Sequence, residues 1–296
     1  MKRLRAFDYH EPVSVAEAIS VLADSPDDAR VLAGGTDLIV DMKTGRMRPS
    51  TVVNLKRIPG LSGVEAIDGG IRIGALTKVT IVEESSIIQE RCPGLAQAAS
   101  ILASPPVRAL ATIGGNVGRA SPASDLGPAL IVHRAAATIE GRDGVRDVLV
   151  EDLYTGPGAT TLAATDIITS ILIPDPPRGF GSAHVKLGKR GSGTDIALAG
   201  TSASVVLGER GDIHDCMIAL ASLGPTPFRA VAAEALLRSQ IPTEAALAAA
   251  AQSAAGEAKP IGDMRASASY RTTLARVLTL RALREAVRSA GMEVAA

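Results

Sequence analysis

The chain has 296 residues, with 31 Lys plus Arg against 31 Asp plus Glu, and a formal charge of zero leaves no electrostatic footprint for nucleic acid or an anionic membrane. Hydrophobic residues at 46% and charged residues at 21% make an ordinary globular balance, which excludes disorder for most of the chain, and the length suggests about two domains. Aromatics are only 2%, so the core must be built from Ala, Val, Leu and Ile, and any flat ligand is gripped mainly by aliphatic side chains and backbone.

In chain order, Ser14-Val15-Ala16-Glu17 forms a capping box that opens a helix running to about Ala23, ended by Asp24-Ser25-Pro26. A short strand from Ala29 to Leu32 runs into Gly34-Gly35, Asp37 to Lys43 has helical spacing, and Thr51 to Leu55 reads as a second strand. Gly63 to Ile67 and Ile71 to Ala75 flank Asp68-Gly69-Gly70 as a hairpin. Helical patterns follow from Thr77 to Glu84 and from Gly94 to Ala103, the second expected to stop at Pro105-Pro106. After a glycine-rich stretch from Thr112 to Gly118, strands are expected at Ala135 to Glu140, Val145 to Val150 and Asp166 to Ile173, with Asp175-Pro176-Pro177 as a domain boundary. Three strand-like runs, Ala183 to Lys189, Ile196 to Leu207 and Ile213 to Leu223, then precede three helices, Ala230 to Arg238, Thr243 to Ala255 and Ser267 to Arg288. The last third therefore reads as a small sheet packed on a helical layer.

Two cysteines, Cys92 and Cys216, cannot supply the four thiolates of an iron–sulfur cluster, and His10, His133, His184 and His214 show no paired ligand spacing, so no metal site is expected. His214 and Cys216 alternate onto one strand face, but two ligands are too few for a metal, and packing is the expected role of both. Met1 to Arg5 is basic but leads into no apolar run, and no uncharged stretch reaches the ~18 residues that span a bilayer. A cytoplasmic protein with no membrane span is expected.

Two short loops carry the chemistry: Ala33-Gly34-Gly35-Thr36-Asp37-Leu38 and Thr112-Ile113-Gly114-Gly115-Asn116-Val117-Gly118. Each places a glycine pair and a small polar residue after an apolar segment, where permissive torsions let consecutive amides approach an anion. Two such loops suit a pyrophosphate. Thr36 and Asn116 can add neutral hydrogen bonds, whereas Asp37 would repel phosphate and is better placed capping a helix or holding a ribose hydroxyl. The alternative is that both loops are ordinary turns. Neither is G-x-G-x-x-G, and Gly188-Lys189-Arg190-Gly191-Ser192-Gly193 lacks both the Rossmann spacing and the P-loop ending, so those two nucleotide-binding classes are disfavoured.

These residues resemble the FAD-binding medium subunit of molybdenum hydroxylases, the family of carbon monoxide dehydrogenase and the separate-subunit xanthine dehydrogenases. The resemblance rests on Phe7-Asp8-Tyr9 with Pro12, the Ala33 to Leu38 loop with Lys43, Ile58-Pro59-Gly60-Leu61, and Thr112 to Asn116 followed by Ser121-Pro122-Ala123-Ser124-Asp125-Leu126. It continues through Lys186 with Arg190 and Asp195, Pro225-Thr226-Pro227-Phe228-Arg229-Ala230, and Asp263-Met264-Arg265-Ala266-Ser267 before Tyr270-Arg271, and so covers essentially the whole chain.

The resemblance implies an α+β fold: a two-subdomain PCMH-type FAD-binding domain over residues 1–176, divided into 1–57 and 58–176, then a three-stranded sheet plus three-helix domain over 177–296. It implies FAD as cofactor, a 2Fe-2S small subunit and a molybdopterin large subunit as partners in a dimerised heterotrimer, and NAD as one candidate acceptor. By the same resemblance Leu32, Ala33, Gly34, Gly35, Thr36, Asp37 and Leu38, with Ala111, Thr112, Gly114, Gly115 and Asn116, hold the pyrophosphate and adenosine side. Leu102, Ala103, Gly118, Ser124, Asp125, Ile168 and Lys186 lie along the ribityl chain and isoalloxazine. Asp125 there can accept from ribityl hydroxyls or the ring N–H, and Lys186 can stabilise anionic reduced flavin; the bland readings are a helix cap and a solvated strand charge. No catalytic side chain is expected, because flavin electron transfer needs no enzyme-supplied nucleophile. His184 stands where relatives often carry an aromatic, which implies a more solvent-accessible ring, and is otherwise expected on a strand surface. Tyr154 and Tyr270 are expected to be half-buried with surface hydroxyls, and a side chain at Gly115 is expected to fill phosphate space. Other readings are a stand-alone FAD-dependent reductase and a catalytically silent nucleotide-binding assembly module.

Overall fold

Three sheets and a two-stranded ladder organise residues 4–190 and 194–295, the part of the chain that the computed structural model describes. Met1 to Arg3 of the basic run and Gly191-Ser192-Gly193 of the third glycine-dense stretch lie outside it. The first sheet takes Asp8–His10 (β1), Ala29–Leu32 (β2) and Thr51–Asn54 (β3) in the order β1-β3-β2, with both pairings parallel. Its crossovers are the helices Val15–Asp24 (α1) and Leu38–Thr44 (α2). Ser14 Oγ accepts from the Glu17 amide at 3.2 Å, and Glu17 reaches back to the Val13 amide at 2.8 Å, one residue before its expected target. β1 carries no sequence signal because all three of its side chains are exposed.

The second sheet is antiparallel throughout: Val64–Ile67 (β4), Gly70–Gly74 (β5), Ala136–Gly141 (β6), Gly144–Leu149 (β7) and, at its centre, a later strand, Ile167–Pro174. Between β5 and β6 the chain forms six short helices: Val79–Glu84 (α3), Ser86–Arg91 (α4), Pro93–Ile101 (α5), Pro105–Arg108 (α6), Ile113–Arg119 (α7) and Leu126–Val132 (α8). Four of these, α4, α6, α7 and α8, are absent from the sequence reading, and Pro105-Pro106 starts a helix where a stop was expected. Proline at the first helical position loses no hydrogen bond and presets the torsion. Val150–Leu153 (α9) and the ladder Tyr154–Gly156 (β8) with Ala159–Thr160 (β9) precede the central strand, β10.

The third sheet, Phe180–Gly188 (β11), Ala197–Leu207 (β12), Ile213–Ala221 (β13) and Phe228–Arg229 (β14), is antiparallel in chain order, so a two-residue fourth strand joins the three expected. Val231–Leu237 (α10), Glu244–Glu257 (α11) and Ala268–Ser289 (α12) cover one face, and their buried alanines, Ala233, Ala250, Ala254, Ala275, Ala282 and Ala286 among them, let the layers approach closely. His214 and Cys216 do not share a face. Val206 pairs with Asp215 and Leu207 with Ile213, so His214 is the bulged residue; it is exposed while Cys216 is buried.

Other burial expectations also change. Tyr154 is buried with its hydroxyl unpartnered, and burial pushes that hydroxyl's pKa up, whereas Tyr270 is half-exposed as expected. Cys92 is buried, and its thiol is pushed up to about 12 by desolvation, which fits its reading as a small hydrophobe.

Candidate functional site

The two glycine loops lie against each other. A Cβ built on Gly34 would stand 2.2 Å from the Leu110 carbonyl oxygen and 3.0 Å from Ala111 Cα, and one on Gly115 would be 3.7 Å from Ala33 Cβ. Only hydrogen at Gly34 permits this approach. The loops border one cavity of about 800 Å³, a volume suited to a large cofactor. Its lining includes Ala33 through Leu38, Ala111, Thr112, Gly114, Gly115, Asn116, Gly118, Leu102, Ala103, Ser124, Asp125 and Ile168. Leu32 and Lys186 are outside the lining: Leu32 packs beneath Gly35, and Lys186 stands behind Asp125.

The loops differ in what their amides can do. Gly35 has φ +77°, a left-handed torsion, and among the described residues the amides of Gly34, Gly35 and Thr36 have no protein acceptor. In the second segment the expected anion-binding bend is the first turn of α7. Gly114 N donates to the Ala75 carbonyl at 2.9 Å, Gly115 N to Thr112 Oγ1 at 3.1 Å and Asn116 N to the Thr112 carbonyl at 3.0 Å. A Cβ on Gly114 would meet Ala75 Cβ at 2.6 Å, and one on Gly115 would meet Thr112 Oγ1 at 2.8 Å, so close packing inside the protein explains this pair. The first contact of a side chain at Gly115 is therefore its own cap, not space opposite the loop. Asn116 Oδ1 accepts from Ser124 Oγ at 2.6 Å, which leaves its amide nitrogen as a donor at the cavity wall.

Asp37 occupies the N-cap position of α2 but makes no side-chain cap bond; its carboxylate lies 3.6 Å from Arg119, which also reaches buried Asp41 at 3.2 Å. Arg119 thus ties the end of α7 to α2 across the cavity. Neither Arg119 nor Asp41 stood out in the sequence, because nothing in their spacing joins segments about 80 residues apart. Gly158 with β9, residues 162–164, and Thr194 to Ile196 also line the wall, and of these only Asp195 belongs to a motif.

At another part of the wall Asp125 and Lys186 form a buried ion pair. Lys186 Nζ donates to Asp125 Oδ2 at 2.7 Å and to the Ile101 carbonyl at 2.8 Å, with its side chain only 1% exposed, so the solvated-charge reading fails. Asp125 does not cap α8 either, since Ser124 Oγ accepts the Gly127 amide instead, at 2.9 Å. Desolvation pushes the Asp125 carboxyl up to about 6, against the lowering pull of Lys186. His184 is not on a surface. It is buried, its Nδ1 lies 2.8 Å from Ser202 Oγ, and desolvation followed by the nearby Lys186 charge lowers it to about 3.

A diphosphate fits where uncommitted amides face a glycine-lined wall, and a polar ring edge fits a buried carboxylate with a free oxygen, so the donor set suits a flavin dinucleotide. Among the described residues no helix is long and apolar enough to cross a membrane. Comparison with known proteins agrees with this chemistry. Residues 5–176 match the FAD binding domain in molybdopterin dehydrogenase, and residues 183–286 match the CO dehydrogenase flavoprotein C-terminal domain. The carbon monoxide dehydrogenase medium chain of Hydrogenophaga pseudoflava is 35% identical over 95% of this chain and 96% of its own length. The xanthine dehydrogenase FAD-binding subunit of Escherichia coli O157:H7 is 33% identical over 96% and 97%. A solved carbon monoxide dehydrogenase from Hydrogenophaga pseudoflava, lacking the Mo-pyranopterin moiety of its cofactor, superposes with a TM-score of 0.93 at 34% identity, covering 97% of this chain and 99% of that one. The chain therefore belongs to the FAD-binding subunit family of the molybdenum-dependent dehydrogenases, and is an oxidoreductase flavoprotein subunit whose cofactor is FAD.

Proposed function

We propose that this chain is the electron-transfer station of a molybdenum hydroxylase complex, taking electrons from a 2Fe-2S small subunit and passing them to NAD or another acceptor, while substrate is oxidised on a molybdopterin large subunit. The observation that carries it is the single cavity joining the uncommitted amides of Gly34 to Thr36 with the buried Asp125–Lys186 pair. The two cysteines support the division of labour, since they are too few for cluster thiolates and both are buried. The domains proposed are 1–57 with 58–176 around the dinucleotide, and 177–296 against the flavin.

In this reading the amides of Gly34, Gly35 and Thr36 hold the diphosphate, with the Asn116 amide nitrogen as a side-chain donor. Leu102, Ala103 and Ile168 supply aliphatic wall, and Asp125, backed by Lys186, accepts from ribityl hydroxyls or the ring N–H. Bound FAD supplies the capacity to take single electrons and release two as a hydride. The chain contributes binding, orientation and a fixed charge environment.

Purification of the chain alone and with its neighbouring subunits tests this. A yellow protein reduced quickly only with the partners supports the complex; reduction by NADH of the chain alone supports a stand-alone reductase, and a colourless protein in both preparations supports a silent module.

A further inference from the structure

β11 is an edge strand covered by α5, and its residues Ser182, His184 and Lys186 alternate onto one face with polar partners along its length. Ser182 Oγ accepts the Gly94 amide at 3.0 Å and lies 3.0 Å from His133 Nε2, and the His184 amide donates to Gln97 Oε1 at 2.8 Å. At the cavity end this order breaks. Among the described residues, Asp125 Oδ1 and His184 Nε2 are both buried, both without a hydrogen-bond partner, and 3.9 Å apart. Two orphaned polar atoms facing each other beside a cofactor cavity call for an explanation, because an unmet buried polar group costs about 1–3 kcal/mol.

We propose that Asp125 Oδ1 is a redox-linked proton acceptor, and that His184 is the positioning residue that accommodates Asp125 in both its charged and its neutral form. The proposal rests on the FAD site described above. Two-electron reduction of bound FAD, by a hydride donor or by an iron–sulfur donor with one proton taken from solvent at the flavin itself, would leave one added negative charge near the Asp125 carboxylate. Asp125 then takes one proton from solvent: the carboxylate becomes a carboxylic acid, no bond other than O–H forms, and re-oxidation returns the proton. The proton taken by Asp125 keeps the site from gaining net negative charge, while Lys186 stays beside Oδ2 throughout.

A neutral imidazole fits this task because its two tautomers answer the two states of Asp125. With Ser202 Oγ–H donating to Nδ1, Nε2 carries a hydrogen toward the carboxylate. With Nδ1–H donating to Ser202 Oγ, Nε2 presents a lone pair to the carboxylic acid. The 3.9 Å gap closes with a shift of about 1 Å, since a direct bond needs roughly 3 Å. Phenylalanine at this position could do neither. The charged and titratable groups around the site are Lys186 and His184 from β11, and Asp195 before β12, paired with Arg190 and sensing Lys186. α5 contributes the Ile101 carbonyl and the Gln97 side chain, and Asn116 on α7 and Ser124 just before α8 are likewise neutral. Desolvation holds this carboxyl near 6, just below neutrality, where a nearby charge decides its protonation.

The test uses the FAD-loaded complex. A reduced-minus-oxidised infrared spectrum of the unaltered protein at neutral pH should gain the C=O stretch of a protonated carboxyl, and a redox titration should show a pH range with one extra proton per two electrons. That is a tenfold change in the reduction equilibrium per pH unit, or about 30 mV. Asp125→Asn should lose both signals, and His184→Phe should move the range upward in pH because the charged form loses its donor. Absence of the carboxyl band from FAD-replete protein, an unchanged slope in FAD-replete Asp125→Asn, or an unmoved range in His184→Phe overturns the proposal. Absence of FAD from the unaltered complex would instead overturn the site itself.

Discussion

The two glycine pairs at residues 34–35 and 114–115 look alike in sequence and perform different tasks in the fold. At the first, Gly35 takes a left-handed torsion and, among the described residues, the amides of Gly34 to Thr36 remain uncommitted at the cavity wall. At the second, the amides of Gly114 and Gly115 are spent on Ala75 and Thr112, and the missing side chains serve helix packing and the cap. A glycine pair is thus an allowance of space and torsion, and the surrounding structure decides whether a ligand or the protein uses it.

Substitutions separate these roles. The largest effect is expected from Gly34→Val: with backbone 2.2 Å from the new Cβ, the loops must part, and stability should fall at or beyond the upper end of the roughly 1–3 kcal/mol range for overpacking. FAD content per chain should fall with it, and retained FAD at full stoichiometry would show that loop contact is dispensable. Gly35→Val should cost about 1–2 kcal/mol through its torsion, with weakened FAD binding in equilibrium titrations. Thr112→Ala removes the α7 cap and should lower stability by about 1 kcal/mol. Gly115→Ala presses on that same hydroxyl at 2.8 Å, so the double variant should cost clearly less than the sum of the two singles in denaturant titration. If the second pair bound phosphate through its amides, Gly115→Ala would instead abolish FAD binding while leaving stability nearly intact. Arg119→Ala, last, removes ion pairs from a side chain 35% exposed, and a change of under about 1 kcal/mol is expected, checked by thermal melting at low and high salt.

Much of the architecture was legible because it rests on short-range signals. The Ser14–Glu17 box, the Asp68-Gly69-Gly70 turn and the apolar strand-like runs of β12 and β13 each state their element within a few residues. The short helices α4, α6 and α8 were not legible, since one or two turns give too little periodicity to separate from a loop. β1 was hidden by its exposed side chains, and the α7 turn by its glycines, which weaken helix propensity while allowing contact with Ala75. Within the site, the residues of both loops and Asp125 were named from sequence, and they do line one cavity; Arg119, Asp41 and β9 were not, because their importance lies only in what they face.

Composition, spacing and motif resemblance by themselves determined that this is an FAD-family chain with an aliphatic core and a sheet-then-helix C-terminal region. These follow from local patterns and residue chemistry, which need no knowledge of distant neighbours. Only the tertiary structure decided that one glycine pair keeps its amides and the other spends them, that Lys186 and His184 are buried, and that Asp125 has one oxygen paired and one free. Burial and hydrogen-bond satisfaction are properties of what packs against a residue, and for these positions several partners come from segments far along the chain, as with Ala75 for Gly114 and Ile101, 85 residues away, for Lys186.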